Sequence, residues 1–176
     1  MLEARDVMRV LTGHPLAPAD LREKSLQLAG RLIEFDPKVR GGEGEALARA
    51  LLDSGQALAR MRDLINAQGD QGFDPEQAPL GPLTLEVRAP EGGTVVAIDN
   101  QQIARIARLA GAPKVKAAGV DLLHRLGDRV EAGELLYRVH AVYPSDLAWA
   151  AQACERANGF MLGTAPIRAP FLGEVS

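Results

Sequence analysis

The residues of this chain that could do chemistry are few: three histidines, one cysteine, two close lysines, an aspartate in an apolar run and one glycine cluster. A zinc centre needs Cys, His or carboxylate ligands at short spacings. His14, His124 and His140 show neither a His-x-x-x-His nor a Cys/His spacing, so none is expected. His14 falls in a loop, and His124 and His140 in strands. His140 is expected to donate to a nearby carbonyl. Cys154 has no second cysteine, which excludes an internal disulfide. A phosphate cradle needs glycine-rich backbone with Lys, Ser or Thr beside it. Gly41-Gly42-Glu43-Gly44 has the glycines but carries an acid and follows no predicted strand, so it reads as a loop. Asp121, if buried, must be hydrogen-bonded or paired, with Lys114 or Lys116 as candidate partners. Trp149 is expected in the core or at an interface.

Two turns stand out. Gly127-Asp128 and Gly133-Glu134 lie six residues apart, in the pattern Gly-Asp-x-Val-x-x-Gly-x-x-Leu. Each glycine permits a positive φ, and Val130 between them is expected to point inward. The pattern recurs in biotinyl and lipoyl carriers and in other barrel-sandwich folds, so it speaks for fold and not for chemistry. A carrier needs its lysine at a hairpin tip. Lys114 and Lys116 instead follow a predicted helix.

The elements that must position these residues fall into two parts. The first is helical. Ala4, Val7, Met8 and Leu11 make one apolar stripe, stopped by Gly13 and Pro15. A second helix starts near Pro18 and lines up Leu21, Ser25, Leu28, Ala29, Leu32 and Ile33, until Asp36-Pro37 breaks it. A third runs from Glu43 to Asp53 with Leu47 and Leu51 inward. A fourth runs from Gln56 to Gln68 with Ala57, Met61, Leu64, Ile65 and Gln68 on one face. These faces are too apolar to stand in water alone, and the segment has no strand to cover them. It reads as a layer cut from a larger α/β body, and its uncovered faces favour self-association.

Residues 69–83 read as a linker, too rich in glycine and proline for a helix. The second part is β-rich. Strands are predicted over 84–89, 94–98, 120–124 and 135–140. A helix follows Asp99 or Asn100 as cap, with Ile103, Ile106, Ala107 and Ala110 inward and Gly111 as its stop. Ser145 is expected to cap a last helix carrying Leu147, Ala150, Ala151 and Cys154. The tail over 161–176 is expected to be extended.

Composition limits the function classes. Of 176 residues, 47% are hydrophobic and 24% charged, as in ordinary globular chains. Aromatics make only 4%, so the core must come from Leu, Val, Ile and Ala. The net charge of -3 lacks the basic face that a phosphate-backbone binder needs, so no nucleic-acid partner is expected. No apolar run reaches the roughly 18 residues of a membrane span, and the first residues are not a secretion signal, so a cytoplasmic protein without a membrane partner is expected.

Several pieces, in order along the chain, resemble the thymidine phosphorylase / AMP phosphorylase family. Leu2-Glu3-Ala4-Arg5 resembles the family's Leu-Glu-Val/Ala-Arg/Lys helix start. Leu21 to Ala29 looks like its next helix, Ser54-Gly55-Gln56-Ala57 like its Ser-Gly-x-Ala turn, and Ala67-Gln68-Gly69-Asp70 like its Ala-Gln-Gly-Gly-Asp. Val96 to Asn100, Ala110 to Pro113, Ala118 to Leu122, Gly127 to Val130 and Val139 to Ala141 are similar to its C-terminal domain. The wording Ala97-Ile98-Asp99-Asn100 and Ala110-Gly111-Ala112-Pro113, with the tail Ala165 to Arg168, is closer to the AMP-phosphorylase branch.

The resemblance implies a fold, α+β: a helical segment of the phosphorylase α/β body over 1–68, the linker over 69–83, and a small barrel-sandwich or hammerhead domain over 84–160. That domain has one inserted helix and a C-terminal helix, and an extended tail follows over 161–176. It also implies a parent activity: reversible phosphorolysis of a pyrimidine nucleoside or a nucleotide to free base and (deoxy)ribose 1-phosphate. The family's phosphate loop and its base-binding Arg, Ser and Lys lie before the Leu-Glu-Ala-Arg start. No catalytic or substrate-binding residue is therefore expected here, and the chain alone should be inactive. Its expected roles are structural, in domain closure or in oligomerisation, with its own catalytic half and a second copy as partners. A stand-alone interaction module or a carrier domain is the alternative. No organic cofactor is implied, and phosphate would be the parent's co-substrate. A potassium ion near the hinge would take one carboxylate from a position that maps onto Asp6, where the family has the longer Glu. Read from the residues alone, Asp6 is a solvated first-turn acid favoured by the helix dipole.

Overall fold

In the computed structural model of this protein, residues 1–69, 74–77 and 79–164 are described. They form two compact units, a helical one over Glu3–Gln77 and a β-rich one over the described residues from 79 onward.

The helical unit holds α1 (Leu2–Thr12), α2 (Ala19–Ile33), α3 (Gly44–Asp53) and α4 (Gln56–Ala67), and a single 3-10 turn at Pro75–Gln77. The helices stand where the apolar periodicity puts them, but the buried face of two differs from expectation. Leu28 and Leu32 on α2 are 44% and 66% exposed, and Leu47 on α3 is 42% exposed. Leu26 and Gly30 of α2 and Gly44 and Ala48 of α3 are the buried positions. The cause is the crossing of α2 on α3. A Cβ added at Gly30 would lie 2.6 Å from the Glu45 nitrogen, and one at Gly44 would overlap the Gly30 carbonyl oxygen. The two backbones meet on a seam of small residues, and the leucines are turned outward. On α4 no residue is buried.

Charged side chains tie the same helices on their rim. Arg49 donates twice to the Glu23 carboxylate, at 2.8 and 3.2 Å, and once to Glu45 at 3.1 Å. Arg22 joins Glu23 (2.9 Å) to Asp53 (2.6 Å). Arg9 on α1 holds Glu76 of the 3-10 turn at 2.7 Å. The residues read as linker thus contain one short helical turn fastened to α1. The hydrogen bond from Arg49 holds the Glu23 carboxyl below the usual carboxylate range, and that from Arg9 does the same for Glu76. A carboxyl lowered by folding stabilises the fold above its unfolded pKa, about 4.3, and that contribution is lost as pH falls through the lower folded value. The urea midpoint of the helical unit should therefore hold steady down to about pH 5 and then decline. These pairs are exposed to solvent, so added salt should flatten the decline. A midpoint unchanged between pH 5 and pH 3 at low salt would remove these pairs from the stability of the unit.

The β-rich unit contains β1 (Leu83–Arg88), β2 (Gly93–Ile98), α5 (Asn100–Leu109), β3 (Gly119–Leu122), β4 (Arg129–Val130), β5 (Leu135–Ala141), α6 (Pro144–Arg156) and β6 (Phe160–Gly163). The strands make two antiparallel three-stranded sheets, β1-β5-β3 and β4-β2-β6. Mixed helix and small antiparallel sheets make the class α+β, as the sequence indicates. No closed barrel forms among the described residues.

Strand β5 is central. In the register Leu83↔Ala141 to Val87↔Tyr137 it pairs with β1, and on its other edge Gly119↔His140 to Leu122↔Tyr137 with β3. Its residues are buried almost without alternation, as expected of a strand covered on both faces. Leu136, Tyr137, Val139 and Ala141 have no exposed surface, and Val95, Ile106, Ala110, Val130 and Ala150 close around them. The Tyr137 ring stacks on Phe160 with centroids 5.7 Å apart, and its hydroxyl donates to the Asn158 carbonyl at 2.8 Å.

Two local expectations change here. Residues 161–163, expected in the extended tail, belong with Phe160 to strand β6, paired with β2 in the register Thr94↔Gly163 to Ile98↔Phe160. The last helix is therefore followed by a strand, and the tail from residue 165 lies outside the described residues. Helix α6 begins at Pro144 with Tyr143 as its capping residue and no side-chain cap; the Ser145 hydroxyl donates to Asp146 instead. The other expected cap does form. Asp99 accepts from the N–H groups of Gln101 (2.9 Å) and Gln102 (3.0 Å) at the start of α5. Asp99→Ala should lower the stability of this unit by about 1 kcal/mol in a urea titration. Asp99→Asn, which keeps an acceptor, should recover most of the loss; equal loss in both variants would mean that the cap is not what Asp99 contributes.

Candidate functional site

The two glycine turns bring His124, Asp128 and Glu134 near one another. Gly127 and Gly133 both adopt positive φ, at 93° and 84°, as their pattern implies. One turn docks on β2 and the other on the residue just past β1, each by a pair of backbone hydrogen bonds. Val95 donates to the Asp128 carbonyl and accepts from Gly127, and Ala89 donates to the Glu134 carbonyl and accepts from Gly133, all at 2.8–2.9 Å. Each acid also closes its own turn. Asp128 accepts from the Arg125 N–H and Glu134 from the Glu131 N–H, both at 2.8 Å. Val130, between the turns, is 2% exposed.

His124 sits between these acids. Its Nε2 lies 3.4 Å from Glu134 and its Nδ1 3.8 Å from Asp128, with the side chain 16% exposed. It was expected within a strand, but β3 ends at Leu122. Sequence reasoning missed this group, although His124 and Asp128 stand four apart across a glycine turn, a spacing that brings side chains together. Both ring nitrogens face carboxylates that already hold turn backbone. The two contacts are ion-pair distances, and the turns themselves are closed by the backbone and carboxylate hydrogen bonds above. Among the described residues, no group of three or more His, Cys, Asp or Glu could hold a metal ion.

The other singled-out residues are dispersed. His140 is buried, and its Nδ1 approaches the Gly81 carbonyl at 3.3 Å, in the donating role expected of it. The Nδ1 of His14 accepts from the Leu16 N–H at 3.1 Å. Burial raises the Cys154 thiol above its ordinary value. Asp121 is half-buried and stands opposite Arg138 in the β3–β5 register. Lys114 and Lys116 are exposed in the segment between α5 and β3. Trp149 is 57% exposed and so is not part of the core. Asp6 faces two guanidinium groups, Arg5 at 3.1 Å and Arg9 at 4.0 Å. A cation at this carboxylate would have to displace them.

The glycine cluster is occupied from within. Glu34, at the end of α2, accepts from the N–H groups of Gly42 (2.7 Å) and Gly44 (3.2 Å). The start of α3 thus already holds a negative group where an anion would otherwise be favoured.

Residues 94–160, from β2 to the start of β6, match the pyrimidine nucleoside phosphorylase C-terminal domain. This chain carries a domain of that family. The phosphorylase C-terminal domain accounts for α5 and α6, the two glycine turns and the central strand β5. The likeness runs beyond it. Over 165 residues, 94% of this chain, the sequence is 62% identical to a protein of Albidiferax ferrireducens named "Putative thymidine phosphorylase". Proteins of the same name from Methylococcus capsulatus and Rhodopseudomonas palustris are 53% and 52% identical over 94% and 91% of the chain. The chain spans about a third of the length of these relatives, 31–32%. Among the described residues, no helix is long and apolar enough to cross a membrane.

Proposed function

We propose that this chain is the accessory portion of a thymidine phosphorylase-type pentosyltransferase. In that reaction a phosphate oxygen attacks C1′ of the sugar and the C1′–N bond breaks. The base leaves with the bonding electron pair and gains a proton, and the sugar is released as its 1-phosphate. The reading rests on the 62% identity over 94% of the chain to a relative of that name. The accessory role is supported by the glycine cluster. Glu34 fills the N–H groups of Gly42 and Gly44, and its charge repels a phosphate dianion. The phosphate and base sites are therefore assigned to the two thirds of the relatives' length that this chain does not span. The helical unit, with Leu28, Leu32, Phe35 and Leu64 between 44% and 80% exposed, packs on that body. The β-rich unit braces it or joins two copies.

The test is phosphate-dependent release of thymine from thymidine. A nucleoside 5′-monophosphate is tried beside it, because the wording at Ala97–Asn100 and Ala110–Pro113 resembles the AMP-phosphorylase branch. The chain alone should stay at background. The chain joined to the remaining two thirds of the Albidiferax ferrireducens relative should turn over. Turnover by the chain alone would overturn the accessory role, and a folded but inactive joined protein would overturn the phosphorylase reading. Running the joined protein in potassium and in sodium salts tests the ion assigned to Asp6.

A further inference from the structure

We draw no further inference here: the strongest candidate, the apolar groove of about 250 Å³ that α1, α2, α3 and α4 form around Val10, Leu26, Ala48 and Leu52, is an unpartnered face, and nothing in the structure shows what covers it.

Discussion

Gly44→Ala should lower the stability of the helical unit by about 2–3 kcal/mol, the upper range for overpacking. Alanine is otherwise the better helix former by about 1 kcal/mol, so propensity alone predicts the opposite sign. Sterics decide it. The new Cβ would overlap the Gly30 carbonyl oxygen and come 2.7 Å from Glu34 Cγ. The carbonyl is backbone in the last turn of α2, bonded to the Glu34 N–H, and cannot move without parting α2 from α3. Separation would also pull Glu34 off the N–H groups of Gly42 and Gly44 and strain the Arg49–Glu23 pair. Gly30→Ala meets the same crossing from the other side, 2.6 Å from the Glu45 nitrogen, and should behave alike. Gly41→Ala is the control: its Cβ meets nothing within 4 Å, so the change should stay within about 0.5 kcal/mol. Urea titration followed by far-ultraviolet circular dichroism reads all three. A Gly44→Ala midpoint equal to that of the unsubstituted chain would mean the helices do not approach so closely.

Ile106→Ala should cost the β-rich unit about 2–5 kcal/mol, the range for truncating a buried isoleucine. Ile106 has no exposed surface and lies in the cluster with Val95, Val130, Leu136, Val139 and Ala150. The neighbours that could fill the void are held by the strands β2, β4 and β5, and Ala110 and Ala150 are too short to reach in. The cavity should therefore stay open. Ile106→Val removes one methylene and should cost about 0.5–1.5 kcal/mol. A loss below 1 kcal/mol for the alanine variant would mean that α5 does not close this core. Because Ile106 lies inside the phosphorylase C-terminal domain, the joined protein offers a second readout. Were the domain to brace a catalytic cleft, Ile106→Ala should reduce thymine release in proportion to the unfolded fraction, with little change in KM for the molecules that remain folded.

Much of this molecule was legible from short-range chemistry. The Asp99 cap, the positive φ at Gly127 and Gly133, the inward Val130 and the strand that carries His140 all depend on a residue and its near neighbours. So do the helix boundaries, which glycine and proline mark. The wording of the β-rich half carried enough of these to resemble its family before any coordinates. Strand β6 was not legible, because Phe160–Gly163 has little propensity pattern of its own and is a strand only where β2 offers it hydrogen bonds. Nor was the missing cap at Ser145, since Pro144 begins the helix one residue earlier and leaves the serine inside it.

Faces and groupings belonged to the tertiary structure alone. Helix α2 has leucines on more than one side, and periodicity favoured Leu28 and Leu32 for the interior. The contact with α3 falls on the face that carries Leu26 and Gly30, and Leu28 and Leu32 lie off that face. His124 and Asp128 are four apart in sequence, and Glu134 joins them where the two turns dock on Val95 of β2 and on Ala89 just past β1. Glu34 fills the glycine cluster for the same reason: α2 ends where α3 begins in space, ten residues later in the chain. Local preference settles which element a segment forms. What that element buries is settled by the partner it meets.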